Sequence, residues 1–305
     1  MVLVINSEHS ATYQIEKSKT ILLDYYFNNE YKKNNSGKIV RFHYTWEDTN
    51  DSGFSLFGDI CKKTGASIQH LSTAPTRKNL NKASVYIIVD PDTERETTKP
   101  NYISDKHAAT IYQWVKSGGV LLLLMNDSSK ADFKHTNLLA TKFGIQFIEN
   151  SLNKVEGDHY ESGAFSIPKN DSIFKTAKKI YIKELSSIKL TGPATAHFKN
   201  ANRDVIMAIT NVGKGRVFAV GDPWFYNEYI NTGRLRADFE NYKAAEDLVR
   251  CKHPTRTVFD SKQISLSFVK ILIYAKQKRT SCRIATDDYP MAAEWINTKG
   301  FLHYK

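Results

Sequence analysis

Cysteine is scarce in this sequence. The three that occur, Cys61, Cys251 and Cys282, are odd in number and far apart, with no CxxC pair. That usage supports neither a disulfide framework nor a zinc site. Long apolar runs are missing as well. The longest, Val120-Leu121-Leu122-Leu123-Leu124-Met125, falls far short of the roughly 20 residues that span a bilayer. The opening Met1-Val2-Leu3-Val4-Ile5-Asn6 has no basic lead and no small-residue cleavage site, so it does not read as a signal peptide. As written, the chain is expected in the cytoplasm.

Catalytic signatures are lacking too. A covalent hydrolase of an α/β class needs a Ser or Cys on a sharp strand-to-helix turn, flanked by glycines as in GxSxG. The strand ends offer only Asn126-Asp127-Ser128-Ser129 and Asp90-Pro91-Asp92. Cys61 falls inside a predicted helix, where packing is the expected role. His43, His135 and His159 are scattered, with no HxxE or HExxH spacing for a metal. Gly213-Lys214-Gly215 links two strands and does not open a helix, so it is no phosphate loop. No cofactor is implied.

Charge of one sign is in excess, with a net +11 over 305 residues. From Cys251 to Lys305 there are ten Lys or Arg against four Asp or Glu, which leaves only +5 on the preceding 250 residues. No RRM, zinc-finger or helix-turn-helix pattern accompanies the charge, so a nucleic-acid partner is not expected.

What the sequence does contain is an alternation of strands and helices. Thr20 to Phe27 reads as a buried strand ending in Asn28-Asn29-Glu30. An Asn- and Lys-rich polar stretch follows, then Phe42-His43-Tyr44-Thr45-Trp46-Glu47-Asp48. Phe54 to Cys61 has helical spacing, with Gly65 as C-cap. Ser67 to Leu71 and Val85 to Val89 read as strands, the second running into Asp90-Pro91-Asp92. Ser104 or Asp105 caps a helix through Ala108, Ile111, Trp114 and Val115, closed by Gly118-Gly119. Val120 to Met125 is the next strand, ending in Asn126-Asp127. A further helix through Phe133, Leu138, Leu139 and Phe143 stops at Gly144.

This rhythm predicts right-handed βαβ units and an open, mostly parallel, doubly wound α/β sheet, its strands apolar throughout because both faces are covered. After about residue 150 the pattern turns to added antiparallel structure: Lys179 to Leu190 and Ala194 to Phe198 read as strands, and Val205 to Val220 as a hairpin. Asn241 to Val249 predicts a helix. The organisation read from this is an α/β domain over 1–250, with a β-rich insertion at about 150–215, and a basic tail over 251–305.

In open α/β sheets ligands bind outside the carboxyl ends of the strands. That rule gathers Asn28, Asn29 and Glu30, Asp90 and Asp92, Asn126 and Asp127, and Asp222, Trp224, Tyr226 and Asn227. Trp46, in its loop, can join the same rim. Carboxylates and amides beside an indole suit sugar recognition, as hydroxyl partners beside an apolar plate. The competing reading is structural: Asp and Asn after a strand also cap the next helix or make Asx-turns.

Four strings resemble one known family: Leu22-Leu23-Asp24-Tyr25-Tyr26-Phe27-Asn28-Asn29-Glu30, His43-Tyr44-Thr45-Trp46-Glu47, Ile88-Val89-Asp90-Pro91-Asp92-Thr93-Glu94 and Gly221-Asp222-Pro223-Trp224-Phe225-Tyr226-Asn227-Glu228-Tyr229. Together they resemble the C-terminal domain of bacterial unsaturated rhamnogalacturonyl hydrolases of the glycoside hydrolase family 105 and 88 type. That domain is a class I glutamine amidotransferase-like (ThuA-like) α/β unit, and the resemblance runs over roughly Ser18 to Val249. It implies a flavodoxin- or amidotransferase-like sheet and a part in breaking down pectic rhamnogalacturonan, in the periplasm if the chain is a fragment of an exported enzyme.

The family's (α/α)6 catalytic barrel is not seen here, and no Cys follows the strand ending at Met125, so no catalytic residue carries over. The expectation is therefore a non-catalytic carbohydrate-associated accessory domain. Its partner would be a pectic oligosaccharide or a cognate (α/α)6-barrel hydrolase, with no membrane. The candidate binding residues are Asn29, Glu30, Trp46, Asp90, Asp92, Asn126, Asp127, Asp222, Trp224 and Asn227. The alternatives are a glycoside hydrolase working through paired carboxylates such as Asp90 and Asp222, and a structural domain docked on a separately encoded barrel.

Overall fold

A computed structural model describes residues 19–250. The readings made above for Met1 to Asn6 and for the basic tail at 251–305 fall outside the described residues.

In chain order the strands are β1 (Thr20–Asp24), β2 (Tyr31–Lys33), β3 (Ile39–Arg41), β4 (Ser67–Leu71), β5 (Val85–Val89), β6 (Val120–Leu124) and β7 (Ile145–Leu152). They continue with β8 (Ala164–Ser166), β9 (Lys179–Tyr181), β10 (Leu185–Leu190), β11 (Thr195–Lys199), β12 (Val205–Val212) and β13 (Gly215–Val220). The helices are α1 (Ser55–Lys63), α2 (Arg77–Leu80), α3 (Asp105–Lys116), α4 (Phe133–Ala140), α5 (Asn227–Ile230) and α6 (Asn241–Arg250).

Nine strands form one sheet in the order β4-β1-β5-β6-β13-β12-β10-β7, with β11 also paired to β12. The first five are mutually parallel. Numbered among themselves they run 2-1-3-4-5, the flavodoxin order of doubly wound sheets. From β12 outward every pairing is antiparallel. The antiparallel section begins at Ile145 with β7, and it extends the main sheet beyond β13. Two small antiparallel pairs, β2-β3 and β8-β9, stand apart from it.

Side chains alternate across a strand, so a strand covered on both faces is apolar at every position. In β6, Leu121 and Leu123 join one core and Leu122 and Leu124 the other. The same division separates Tyr86 and Ile88 from Ile87 and Val89 in β5. The core of Leu122 and Leu124 is closed by Phe57, Ile60 and Cys61 of α1 and Ala244 and Ala245 of α6. That of Leu121 and Leu123 is closed by Ile111, Trp114 and Val115 of α3 and Phe133 and Leu139 of α4. Helices thus lie on both faces of the sheet.

Local chemistry sets the ends. Ser104 caps α3 by accepting from the His107 backbone N–H. The two-residue link between β12 and β13 starts at Gly213, whose φ of +57° meets the positive-φ demand of such tight hairpins. The buried stripe of α4 is narrower than its apolar spacing predicts: Phe133 and Leu139 are buried, but Leu138 faces solvent. Missed in the polar stretch after Glu30 is the β2-β3 hairpin. Its strands are three residues long, β2 exposed and β3 at most half-buried, so they carry no alternation. Its turn is legible in retrospect, since Asn34 Oδ1 accepts from the Ser36 and Lys38 backbones and Gly37 sits at φ +79°.

Candidate functional site

The carboxyl ends of β1, β5 and β6 are stitched together by the polar residues that follow them. Where β1 ends, Asp24 accepts from the Phe27 backbone at 2.6 Å, from the Tyr26 backbone at 3.1 Å and from the Tyr86 hydroxyl. Burial nonetheless pushes the Asp24 carboxyl up to about 6. The Asn28 amide donates to the Asp90 carbonyl at 3.0 Å, and the Asn29 backbone donates to Asp92 Oδ2 at 2.8 Å. From β6, Asn126 Nδ2 donates to Asp90 Oδ2 at 3.2 Å. Asp90 reaches this position with φ at +44°, in the left-handed region that a non-glycine residue rarely adopts.

Around Asp90 the field is negative. Its carboxyl is raised well above the usual range, first by burial and then by Glu96, Glu30 and Asp92 nearby. Asp92 is pushed up to about 7, chiefly by burial, although Thr97 and the Asn29 backbone donate to it. One buried oxygen on each, Oδ1, has no hydrogen-bond partner among the described residues. Glu30 is also buried, with Oε1 2.7 Å from His43 Nδ1. Among the described residues no three of His, Cys, Asp or Glu are grouped so as to hold a metal ion. Nor is any helix among them long and apolar enough to cross a membrane.

The space available to a ligand lies one strand further along. A cleft of about 480 Å³ opens at the ends of β6 and β13, within the size range of small-ligand sites (roughly 300–1,000 Å³). Asn126 and Asp222 line it from the sheet, and Tyr44, Tyr226 and Tyr229 contribute aromatic walls. Lys130, Lys183, Glu184 and Glu228 supply charge, and Lys32 reaches it from the β2-β3 hairpin. Lys130 bridges Asp127 at 3.1 Å and Glu184 at 3.5 Å, while Lys183 lies 3.7 Å from Glu228. Lys32 has no carboxylate partner among the described residues; its ammonium sits 4.5 Å from the centre of the Phe42 ring.

Asp222 is the sheet's principal contribution. Gly221 puts it there: a Cβ at that position would stand 1.9 Å from the Ser186 carbonyl oxygen, so only glycine lets the end of β13 run beside β10. Asp222 Oδ1 accepts from the Trp224 backbone at 2.7 Å, yet burial raises its carboxyl well above the ordinary range. The hydroxyls of Tyr44, Tyr226 and Tyr229 are in turn held far up, first by burial and with Asp222 among the charges acting on each. Tyr44 feels Asp90 as well, so it stands between the acidic cluster and the cleft. Its own φ is +47° and that of His43 is +59°.

The ten candidate residues therefore separate. Asn126 and Asp222 line the cleft. Asn29, Glu30, Asp90 and Asp92 form the stitched cluster beside it. There Asn29 Oδ1 accepts from Arg41 at 2.5 Å. Asp127 accepts from Ser151 and binds Lys130, so it holds a cleft residue in place.

The remaining three belong to the scaffold, which corrects the expectation that indoles form a sugar-facing plate. Trp224 is completely buried, edge-on to Phe174. Trp46 packs between α1 and β4, with Nε1 donating to the Gln69 carbonyl at 2.9 Å. Asn227 clamps the loop before α1: it donates to the Asp48 and Asn50 carbonyls and to Ser55, and accepts from the Leu56 backbone. Among the cleft residues, Lys130, Lys183 and Glu184 escaped sequence reasoning because they come from two separate loops with no motif.

No family model matches the chain, and no curated protein matches it in sequence. Solved structures share its fold. The mmIFT52 N-terminal domain superposes with a TM-score of 0.58 over 79% of this chain and 99% of that one, at 17% identity. The cytoplasmic protein STM1381 from Salmonella typhimurium LT2 does so with 0.50 over 77% and 100%, at 13% identity. At such identities the likeness is one of fold: an open α/β sheet flanked by helices.

Proposed function

We propose that this chain is a non-catalytic carbohydrate-binding α/β domain that takes up pectic, rhamnogalacturonan-type oligosaccharides and serves beside an (α/α)6-barrel hydrolase. The observation that carries the reading is the composition of the cleft at the ends of β6 and β13. It places a carboxyl (Asp222), an amide (Asn126), tyrosine rings and lysines around one space of about 480 Å³. Hydroxyls of a sugar find acceptors and donors there, and the tyrosine rings replace the buried indoles as the apolar surface. Lys32, free of any carboxylate among the described residues, suits the carboxylate of a uronic acid.

The test is calorimetric titration of rhamnogalacturonan oligosaccharides into the wild type and the Asn126→Ala and Tyr226→Ala variants. Binding by the wild type, weakened in both variants while each stays folded, supports the reading. An absence of heat with any pectic fragment removes it.

One feature favours a second reading, that of a glycosidase. Asp222 carries a carboxyl raised by burial, as a general acid requires, and Glu184 and Glu228 face the same cleft. Release of reducing ends from those oligosaccharides, abolished by Asp222→Asn, would establish it in place of the first.

A further inference from the structure

Asp222 stands in the cleft without a counter-ion. The residue is 3% exposed, yet no cation among the described residues forms an ion pair with it. Lys130 is committed to Asp127 and Glu184, and Lys183 lies against Glu228. The single hydrogen bond to the carboxyl comes from the Trp224 backbone, which donates to Oδ1 at 2.7 Å. Oδ2 accepts from no described residue. An ionised carboxylate with one donor and no cation is poorly tolerated when buried.

The phenols around it point the same way. Tyr44, Tyr226 and Tyr229 line the cleft with Asp222, and each carries a hydroxyl able to donate. None of the three donates to the carboxyl. The Tyr229 hydroxyl is buried with no partner among the described residues, although the Tyr226 ring lies only 4.5 Å from its own. An ionised Asp222 would draw such donors in, and a neutral one does not need them. The other charges do not reverse this. Asp127, at the end of β6, and Glu228, in α5, oppose ionisation, while Lys130 favours it. Tyr181 of β9 senses the carboxyl, and Lys183 and Glu184 of the link to β10 line the same space with Asp51 and Lys32. No histidine lines it.

We infer that Asp222 serves the cleft as a neutral carboxylic acid whose Oδ2–H donates to an acceptor oxygen of the ligand, so that the cleft takes a carbonyl, ether or hydroxyl oxygen and refuses an ammonium group. Burial keeps carboxylic acids neutral and donating at other protein sites too. Binding is complete while the acid is neutral and is lost as pH rises through its ionisation. This holds for any ligand of the cleft, whether or not it is a carbohydrate.

The experiment is NMR on the wild-type chain and Asp222→Asn, combining a carboxyl-carbon titration with two small probes. N,N-dimethylacetamide can only accept a hydrogen bond, and methylammonium can only donate one. The Asp222 carboxyl is expected to stay neutral at about pH 7, where ordinary carboxyls are ionised. N,N-dimethylacetamide is expected to shift the ring signals of Tyr226 and Tyr229, with an affinity that falls about tenfold per pH unit once the carboxyl ionises. Asp222→Asn keeps a donor of the same shape and is expected to bind this probe equally at every pH. An Asp222 ionised at neutral pH overturns the inference. So do tighter binding of methylammonium, a wild-type affinity that ignores pH, and a failure of N,N-dimethylacetamide to bind at all. A cleft that takes N,N-dimethylacetamide but no pectic fragment keeps this inference and removes the carbohydrate reading.

Discussion

Asn126 Nδ2 donates to Asp90 Oδ2 at 3.2 Å, joining the end of β6 to the end of β5 just where the sheet meets the cleft. Asn126 Oδ1 accepts from the Asp127 backbone at 2.9 Å, so the side-chain amide cannot rotate without losing both bonds. Asn126 is therefore wall and brace together. Replacing it with Ala leaves Asp90 Oδ2 buried without a donor, at an expected cost of roughly 1–3 kcal/mol in urea unfolding. Unfolding at the wild-type midpoint would show that the brace contributes nothing.

Stability should fall as pH rises through neutrality. Burial holds the Asp24 carboxyl at about 6 and Asp92 at about 7, above the ordinary carboxylate value they regain on unfolding. The folded chain therefore binds these protons more tightly. Their contribution is complete below about pH 4 and is lost as pH passes through 6 to 7. Thermal melts should drop by roughly 5 °C between about pH 5 and pH 8, and Asp92→Asn should flatten that slope. A melting temperature that climbs over this interval contradicts the assignment.

Gly221→Ala tests how closely β13 runs beside β10. With the added Cβ 1.9 Å from the Ser186 carbonyl, the strand end has to move, at a cost of at least about 3 kcal/mol. A variant with unchanged unfolding free energy would mean that this approach is not so tight.

Asn227→Ala removes four hydrogen bonds that tie α5 to the loop before α1. The expected loss is roughly 2–4 kcal/mol in chemical denaturation. Amide exchange should accelerate along 48–56, and protection left intact there would refute the clamp.

These residues show what was legible beforehand. The apolar runs of β1, β5 and β6 announced a sheet covered on both faces, because only burial on both sides makes every position of a strand hydrophobic. The polar residues after those strands gather at the carboxyl ends of the sheet, where Asn126 and Asp222 line the cleft. Which neighbours each of them meets was not legible. Asn227 and Trp224 sit in the same string as Asp222, yet one is a loop clamp and the other a core side chain, since their directions depend on a turn in which Trp224 takes φ +32°. Lys130 reaches the cleft from one loop and Lys183 and Glu184 from another far away in sequence, and only the folded sheet brings them together.

The most direct measurement of the central claim is a crystal structure of the chain soaked with a rhamnogalacturonan tetrasaccharide. The account predicts sugar density in the cleft at the ends of β6 and β13, with hydroxyls in hydrogen-bond reach of Asp222 and Asn126 and a ring against Tyr226. Density on another surface, or an empty cleft at saturating ligand, would contradict it.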